Sequence, residues 1–199
     1  MLPPLKLNTT GSGEEPYLGQ GCVTPYRRRE VLLRWIWALV QATLFRWSPR
    51  PMHGFRAWLL RGFGADIPSP SKVVLFPTVR VVFPWKLALA PRTMVGPEVL
   101  VYNPAPVRLD FGANVSQRCH LCAATHDFNR WSMPLVPRPI IVGRNAWIAA
   151  DVFVGPGVTV GELCVVGAGS VVVRDLPPRK VCVGNPCRPV KDRTEPAGP

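Results

Sequence analysis

Acidic residues are scarce in this 199-residue sequence. It has 12 aspartates and glutamates against 24 lysines and arginines, which gives a formal net charge of +12. That surplus predicts anionic partners, such as a phosphorylated cofactor or substrate, a membrane surface, or nucleic acid. Nucleic acid is disfavoured among these, because the basic residues are spread over the two ends of the chain and no stacking aromatics lie between them on the repeat described below.

The sequence also lacks a long apolar run and a secretory signal. The longest uncharged stretch of its most apolar segment, residues 35–45, has eleven residues and is too short to cross a bilayer. The first twenty residues are polar and include Glu14 and Glu15, unlike a cleavable signal. We therefore expect a cytoplasmic protein in which the six cysteines are reduced thiols.

Histidine is rare, which bears on metal binding. The sequence has three histidines, and His53 lies far from the other two. Cys119 and Cys122 have the spacing of half a zinc site, but only Cys119 falls at an inward position of the repeat, so the two side chains would not converge. We expect no metal.

What the sequence does contain is a six-residue repeat over residues 142–173. Each unit opens on an aliphatic residue, follows it with Gly or Ala, and has a small or branched residue four places on. The opening residues of the five units are Val142, Ile148, Val154, Val160 and Val166, and Val172 starts a sixth. A period of six fits neither a helix nor a simple strand and predicts a parallel β-helix, in which three hexads form one triangular coil. We expect the small residue after the opening position to let the backbone turn each corner.

Two breaks interrupt the earlier hexads, which open at Leu89, Val95, Val101, Leu109, Val115 and Leu121. The interval from Val101 to Leu109 is eight residues, which predicts a bulge that pushes Asn103 or its neighbours out of the stack. The interval from Leu121 to Val142 is 21 residues and predicts a protruding loop over 127–141. His126 lies where the wall ends and this loop begins.

The residues before the repeat predict two amphipathic helices, over 30–47 and 52–63. The favoured interpretation is that they cap the open first coil. The alternative is a peripheral membrane contact through residues 27–47, at the inner face of the membrane, because Trp and Arg on an amphipathic helix suit an interface. We thus expect an extended arm (1–26), a helical leader (27–66), a β-helix domain (67–191) and a polar tail (192–199).

The hexads combine with several short motifs that carry a family resemblance. These are Thr125-His126-Asp127, residues 145–148, residues 156–159 and Gly184-Asn185-Pro186. Over about residues 30–193 the sequence resembles the hexapeptide-repeat O-acetyltransferases, and within them the colanic acid biosynthesis branch, beside the maltose and galactoside acetyltransferases. The resemblance implies an all-β fold, a left-handed parallel β-helix, and a homotrimer with active sites in the clefts between subunits.

The resemblance also implies the chemistry. The reaction would be acetyl transfer from acetyl-coenzyme A to a hydroxyl of a saccharide or sugar-containing intermediate in exopolysaccharide biosynthesis, with His126 as general base. Asn103, Asp127 and Trp147 would lie on the acceptor side of the cleft. The cofactor contacts would fall on Ala150, Ala168, Val173, Arg174, Arg188 and Lys191. Other members often have Ser or Thr where this chain has Ala150 and Val173, so backbone groups would make those contacts.

Three alternatives stay open at this level. The acceptor could instead be an antibiotic, another secondary metabolite or an amino-sugar nitrogen, and a β-helix could also serve as a non-enzymatic scaffold. The partner that orients His126 could be Asp127 or a main-chain carbonyl, because neighbours on an extended chain point to opposite faces.

Overall fold

The fold is described from a computed structural model, in which the described residues are 26 and 28–194. Residues 1–25 of the expected arm, which include Cys22, lie outside them, as do Arg27 and residues 195–199 of the expected tail. The described chain is a parallel β-helix preceded by helices, which confirms the fold class expected from the period of six.

Two α-helices open the described chain. Helix α1 covers Arg28–Val40 and continues as a π-helical turn over Gln41–Phe45, and α2 covers His53–Gly62. Short 3₁₀ turns follow at Pro70–Lys72 and Pro84–Lys86. None of the helices that the structure describes combines the length and the hydropathy of a bilayer span.

Eighteen short strands follow the helices within the described residues. In chain order they are β1 Val74–Leu75, β2 Arg80–Val81, β3 Leu87–Leu89, β4 Met94–Val95, β5 Leu100–Tyr102, β6 Val107–Leu109, β7 Asn114–Val115, β8 His120–Cys122, β9 Ala124–His126, β10 Leu135–Pro137, β11 Ile140–Val142, β12 Trp147–Ile148, β13 Phe153–Val154, β14 Thr159–Val160, β15 Val165–Val166, β16 Val171–Val172, β17 Lys180–Gly184 and β18 Cys187–Asp192.

All of these strands except β9 and β10, which pair with each other, stack into three faces of a triangular prism. Face 1 has the order β1-β4-β7-β12-β15-β17-β18, face 2 the order β2-β5-β8-β13-β16, and face 3 the order β3-β6-β11-β14. Neighbouring strands in each face run parallel, except that β18 turns back antiparallel on β17. The chain visits faces 1, 2 and 3 in turn. We name the edges that it crosses the 1–2, 2–3 and 3–1 corners.

The hexad register explains the core. Each opening residue points inward on its strand and is buried, from Leu89 to Val172. The position four residues later is also buried, except at Thr125 on β9, and it carries small or branched side chains such as Ala146, Val152 and Cys164. The three faces therefore enclose one continuous apolar core, and their outward residues remain available for a site.

The corners are turned by a different residue from the one that the sequence suggested. The fourth residue of the hexad has a positive φ in coil after coil, as at Gly112 (70°), Asn145 (52°) and Leu163 (56°). The glycine after the opening residue is small for another reason. A Cβ on Gly161 would lie 2.5 Å from the nitrogen of Pro178 in the next coil, and one on Gly143 would lie 2.7 Å from the nitrogen of Glu162. These glycines allow successive coils to approach each other closely.

The expectation that the longer corner displaces Asn103 from the stack is wrong. Its side chain is fully buried rather than displaced from the stack. The side-chain oxygen accepts a hydrogen bond from the Phe83 N–H (3.0 Å), and the amide nitrogen donates one to the Phe83 carbonyl (2.8 Å). The same interval of eight residues separates Val81 from Leu89 in the coil above, so the two longer corners lie one on the other.

The helices pack over the first coil. The indole N–H of Trp37 donates to the carbonyl of Val81 (2.6 Å), and the side-chain oxygen of Gln41 accepts from the Val81 N–H (2.7 Å). From α2, Ala57 and Leu60 are fully buried against the same core. The guanidinium of Arg56 is buried as well and donates to the carbonyls of Leu75, Pro49 and Arg50.

Candidate active site

His126 lies on a hairpin that leaves the β-helix at the 2–3 corner. Strand β9 pairs antiparallel with β10, so that His126 lies opposite Leu135. The segment expected as a plain loop over 127–141 is therefore a turn closed by this hairpin, and residues 140–142 already belong to β11 on face 3. The hairpin carries the exposed imidazole out from the wall at a defined place.

The imidazole of His126 has a defined partner in the turn. Its Nδ1 lies 2.5 Å from the main-chain carbonyl of Met133. A carbonyl oxygen only accepts hydrogen bonds, so Nδ1 carries the hydrogen and Nε2 of the neutral ring is left with its lone pair. Of the two partners that the sequence left open, the geometry favours the main-chain carbonyl. The arrangement gives His126 the tautomer that a general base needs.

Asp127 lies in the same turn but faces away from this hydrogen bond. Its carboxylate accepts from the N–H of Asn129 (3.1 Å), and its own N–H donates to the carbonyl of Pro134 (3.0 Å). The bond to Pro134 joins the two ends of the turn that carries Met133, and the bond from Asn129 fixes the start of that turn. Asp127 thus stabilises the turn whose Met133 carbonyl binds the His126 ring, and its own hydrogen bonds go to other residues of the turn.

Trp147 does not share a surface with His126 in one subunit. It lies on β12 of face 1, and its indole N–H donates to the hydroxyl of Ser116 (3.0 Å), which holds the half-exposed ring in place. His126 projects from the corner between faces 2 and 3. In a triangular prism that corner lies opposite face 1, so the two side chains point away from each other.

The residues expected to bind the cofactor fall into two groups. Ala150 and Ala168 occupy equivalent places in successive coils at the 1–2 corner, where the Gly169 N–H donates to the Ala150 carbonyl (2.9 Å). Arg188 pairs with Val183 at the end of the same corner, and Lys191 follows along β18. Val173 and Arg174 lie instead at the 2–3 corner, below His126. These two groups of expected residues lie on different edges of one subunit, and we call them the two half-sites of the expected site.

Asn103 belongs to neither half-site. Both of its polar side-chain atoms are engaged by Phe83 and none of its surface is exposed, so it cannot reach an acceptor without leaving the core. The family resemblance implied the acceptor role, and the longer corner predicted an outward displacement of Asn103 or its neighbours. The hydrogen bonds between coils hold it inward instead.

Two supporting residues were not found from the sequence. Met133 acts through its main chain, which leaves no side-chain signal. Ser116 follows the opening residue Val115, the same hexad position that Ala149 holds one coil on, and its hydroxyl lies beside Trp147. A count of hexads in threes would have placed Ser116 and Trp147 on neighbouring strands of one face.

The remaining histidines and cysteines have packing roles. His120 stacks edge-on against Phe153 (5.4 Å between ring centroids), and burial lowers its pKa. Burial raises the pKa of Cys119 to about 11 and that of Cys164 to about 12, and the Cys164 and Cys182 sulfurs lie 3.7 Å apart as free thiols. Within residues 26 and 28–194 no three His, Cys, Asp or Glu side chains are grouped as metal ligands would be.

Comparisons with known proteins agree with this architecture. The family model described as bacterial transferase hexapeptide (six repeats) matches residues 139–174. The chain is 41% identical over 160 residues to the putative colanic acid biosynthesis acetyltransferase WcaF of Escherichia coli K12, which covers 80% of this chain and 87% of that protein.

Two solved structures have a similar fold. The maltose O-acetyltransferase of Clostridium difficile 630 aligns with a TM-score of 0.74 at 24% identity, over 85% of this chain and 90% of its own. The hexapeptide-repeat acetyltransferase VCA0836 of Vibrio cholerae, crystallised with acetyl-coenzyme A, aligns with a TM-score of 0.75 at 23% identity, over 86% and 93%.

Proposed function

Since this chain belongs to the hexapeptide-repeat acetyltransferase family, we propose that it transfers an acetyl group from acetyl-coenzyme A directly to a hydroxyl of a saccharide or sugar-containing intermediate in exopolysaccharide biosynthesis. One observation carries the proposal, the hydrogen bond between His126 Nδ1 and the Met133 carbonyl. In the neutral ring this bond places the lone pair on Nε2, and His126 is exposed at the edge of the wall. The name of the WcaF relative supports the saccharide acceptor.

The His126 imidazole would act twice in one turnover. Nε2 takes the proton of the acceptor hydroxyl as its oxygen attacks the thioester carbonyl carbon. When the carbon–sulfur bond breaks, the imidazolium gives that proton to the departing thiolate, so no acyl-enzyme forms. The Met133 carbonyl stabilises the imidazolium between these steps through the Nδ1–H bond.

The chemistry of the remaining site residues fits coenzyme A. Arg174, Arg188 and Lys191 are exposed cations that suit its pyrophosphate and ribose phosphate. The small residues Ala150 and Ala168 leave the 1–2 corner open, and a Cβ added at neighbouring Gly169 would meet no atom within 4 Å. A backbone N–H near Ala150 would stabilise the oxyanion.

We propose that two subunits of a homotrimer complete each site. The 2–3 corner of one subunit would supply His126, Val173 and Arg174. The neighbour would supply Trp147 from face 1 and the residues of its 1–2 corner. The separation of these groups within one subunit supports this, because neither edge alone carries both the base and the full set of cofactor residues.

Thiol release from acetyl-coenzyme A tests the proposed reaction. We expect release to depend on an acceptor and to fall at least about a hundredfold in His126→Ala. His120→Asn is the matched control, because it removes an imidazole that packs on Phe153 away from the hairpin, and it should keep activity. Binding of coenzyme A by both variants would show that the fold and the cofactor half-site are intact.

The acceptor panel decides the substrate class. It should contain saccharides, glycolipid precursors, amino sugars and small-molecule alcohols. Turnover of saccharide hydroxyls supports the proposal. If only amino sugars or only small alcohols are acetylated, the saccharide acceptor is wrong and that class is the substrate. Normal turnover by His126→Ala would exclude the base role, and failure to bind coenzyme A would leave the fold as a scaffold.

A further inference from the structure

Helix α1 presents apolar side chains to solvent. Its inward side is fixed by Trp37 and Gln41, which both bind the backbone of Val81, and by Phe45, which is fully buried. The opposite side must therefore face outward. On that side Leu32 is 61% exposed, Trp35 73% and Leu39 66%, at spacings of three and four residues along one stripe.

This pattern is the reverse of an ordinary surface helix, whose outward stripe is polar. The apolar surface continues past the helix. Leu44, Trp47 and Met52 are exposed as well, and they line a shallow apolar depression of about 330 Å³ together with Pro49 and Phe55. We call this continuous surface, from Leu32 to Met52, the leader patch. Large exposed patches of this kind mark interaction sites.

The charge around the leader patch has one sign. Residues 28–63 contain seven arginines and one glutamate. Arg28 and Arg29 are exposed at the start of α1, and Arg46 and Arg50 are exposed beyond its end. The stripe of Leu and Trp side chains is therefore bordered by cations at both ends.

We propose that the leader patch docks the protein on the surface of a bilayer that contains anionic phospholipid, with α1 parallel to the membrane plane. Leucine and tryptophan side chains would enter the boundary between headgroups and acyl chains, and the arginines would pair with lipid phosphates. The helix lies on the bilayer and does not span it. This docking is independent of the proposed acetyl transfer.

Charge complementarity selects the lipid over a second copy of the patch. Two leader patches face to face would bring their arginines together, which is unfavourable at an interface. The carboxylates of the β-helix offer few partners, because Asp110, Asp151, Glu162 and Asp192 already pair with basic residues of the same subunit. An anionic membrane supplies the missing charge over an extended flat area.

Vesicle flotation of the full chain tests the docking. We expect the protein to float with vesicles of phosphatidylcholine containing about 30% phosphatidylglycerol, to bind pure phosphatidylcholine far less, and to dissociate as salt is raised. The apolar test variant is Leu32→Ser/Trp35→Ser/Leu39→Ser. Its matched control is Ile141→Ser/Val190→Ser, which removes exposed apolar side chains from the β-helix.

The expected result is a loss of vesicle affinity of about tenfold or more in the test variant and less than about twofold in the control. Arg28→Gln/Arg29→Gln should weaken binding to anionic vesicles, whereas Arg108→Gln/Arg144→Gln, with the same change of net charge, should not. Since all substituted leader residues are exposed, thermal unfolding and turnover of a soluble acceptor should be unchanged.

Three outcomes would overturn the docking. The first is wild-type protein that does not float with anionic vesicles. The second is a triple variant that binds them as the wild type does. The third is a triple variant that becomes smaller in sedimentation while the wild type does not bind lipid, since the leader patch would then be a contact between subunits.

Discussion

Asn103 is a buried amide that joins two coils through its side chain. Its two hydrogen bonds reach the N–H and the carbonyl of Phe83, at a corner where both coils are two residues longer than the repeat. The longer corners leave main-chain groups that the regular ladder does not pair. A side chain that offers both a donor and an acceptor satisfies them, which explains an asparagine inside an apolar core.

Replacing Asn103 by alanine should therefore reduce stability and leave the chemistry nearly intact. We expect a loss of about 1–3 kcal/mol in the free energy of unfolding, because the buried Phe83 N–H loses its partner, whereas the Phe83 carbonyl still accepts from the Lys86 N–H (3.0 Å). Urea unfolding measures it. Asn114→Ala is the matched control, since the buried side-chain oxygen of Asn114 has no hydrogen-bond partner and its removal should cost little. A stable Asn103→Ala protein with a raised KM for the acceptor would instead restore the acceptor role expected from the sequence.

At the scale of elements, the β9–β10 hairpin positions the imidazole of His126. The hairpin pairs three residues of each strand and leaves eight in the turn. Within that turn the Asp127 carboxylate accepts from Asn129, and Asp127 N–H donates to Pro134. These bonds hold the chain near Met133, whose carbonyl fixes the ring of His126. Asp127 is thus a positioning residue that acts on His126 through the turn.

Substitutions at Asp127 separate positioning from substrate contact. Asp127→Ala removes the acceptor for the Asn129 N–H, and we expect kcat to fall about tenfold with little change in the acceptor KM. Asp127→Asn keeps a side-chain oxygen in the same place and should recover kcat to within about threefold. Steady-state kinetics with acetyl-coenzyme A and varied acceptor measures kcat and the acceptor KM of both variants. Equal damage in the two variants would mean that the negative charge itself is needed, as it would be for a residue that binds substrate.

The sequence predicts the coils better than it predicts the site. The period of six assigns every opening residue from Leu89 to Val172 to the core, because burial in a β-helix follows directly from position in the hexad. It also locates His126 at the end of a wall. It does not reveal Met133, which acts through its carbonyl, or the pairing of Asn103 with Phe83, which depends on two coils that are 20 residues apart. Neither does it explain Gly161, whose small size is required by Pro178 of the next coil.

For the whole molecule, the order of the faces decides how a site is assembled. The hairpin leaves between faces 2 and 3, whereas Trp147 lies on face 1 and Ala168 at the 1–2 corner. A rigid prism cannot bring the 2–3 corner together with face 1 or with the 1–2 corner of the same subunit. A ring of three prisms can bring the 2–3 corner of each subunit against face 1 of the next, so the proposed reaction requires the oligomer.

Subunit mixing tests this requirement. His126→Ala removes the base at the 2–3 corner, and Ala168→Trp fills the open 1–2 corner, so each variant alone should be inactive. If sites lie between subunits, trimers reassembled from a 1:1 mixture will contain clefts in which both edges are intact. Random assembly makes these about one quarter of all clefts, and thiol release should recover to about a quarter of the wild-type value.

The controls for this experiment follow from the same geometry. A subunit that carries both substitutions inactivates the two clefts to which it contributes. Mixed 1:1 with wild type, it should therefore lower thiol release to about a quarter of the wild-type value, below the half expected from dilution alone. Sedimentation should give trimers for every preparation. If the mixture of single variants stays inactive although mixed trimers form, each site lies within one subunit. The separation of His126 from Trp147 would then need a rearrangement of the hairpin rather than a neighbour.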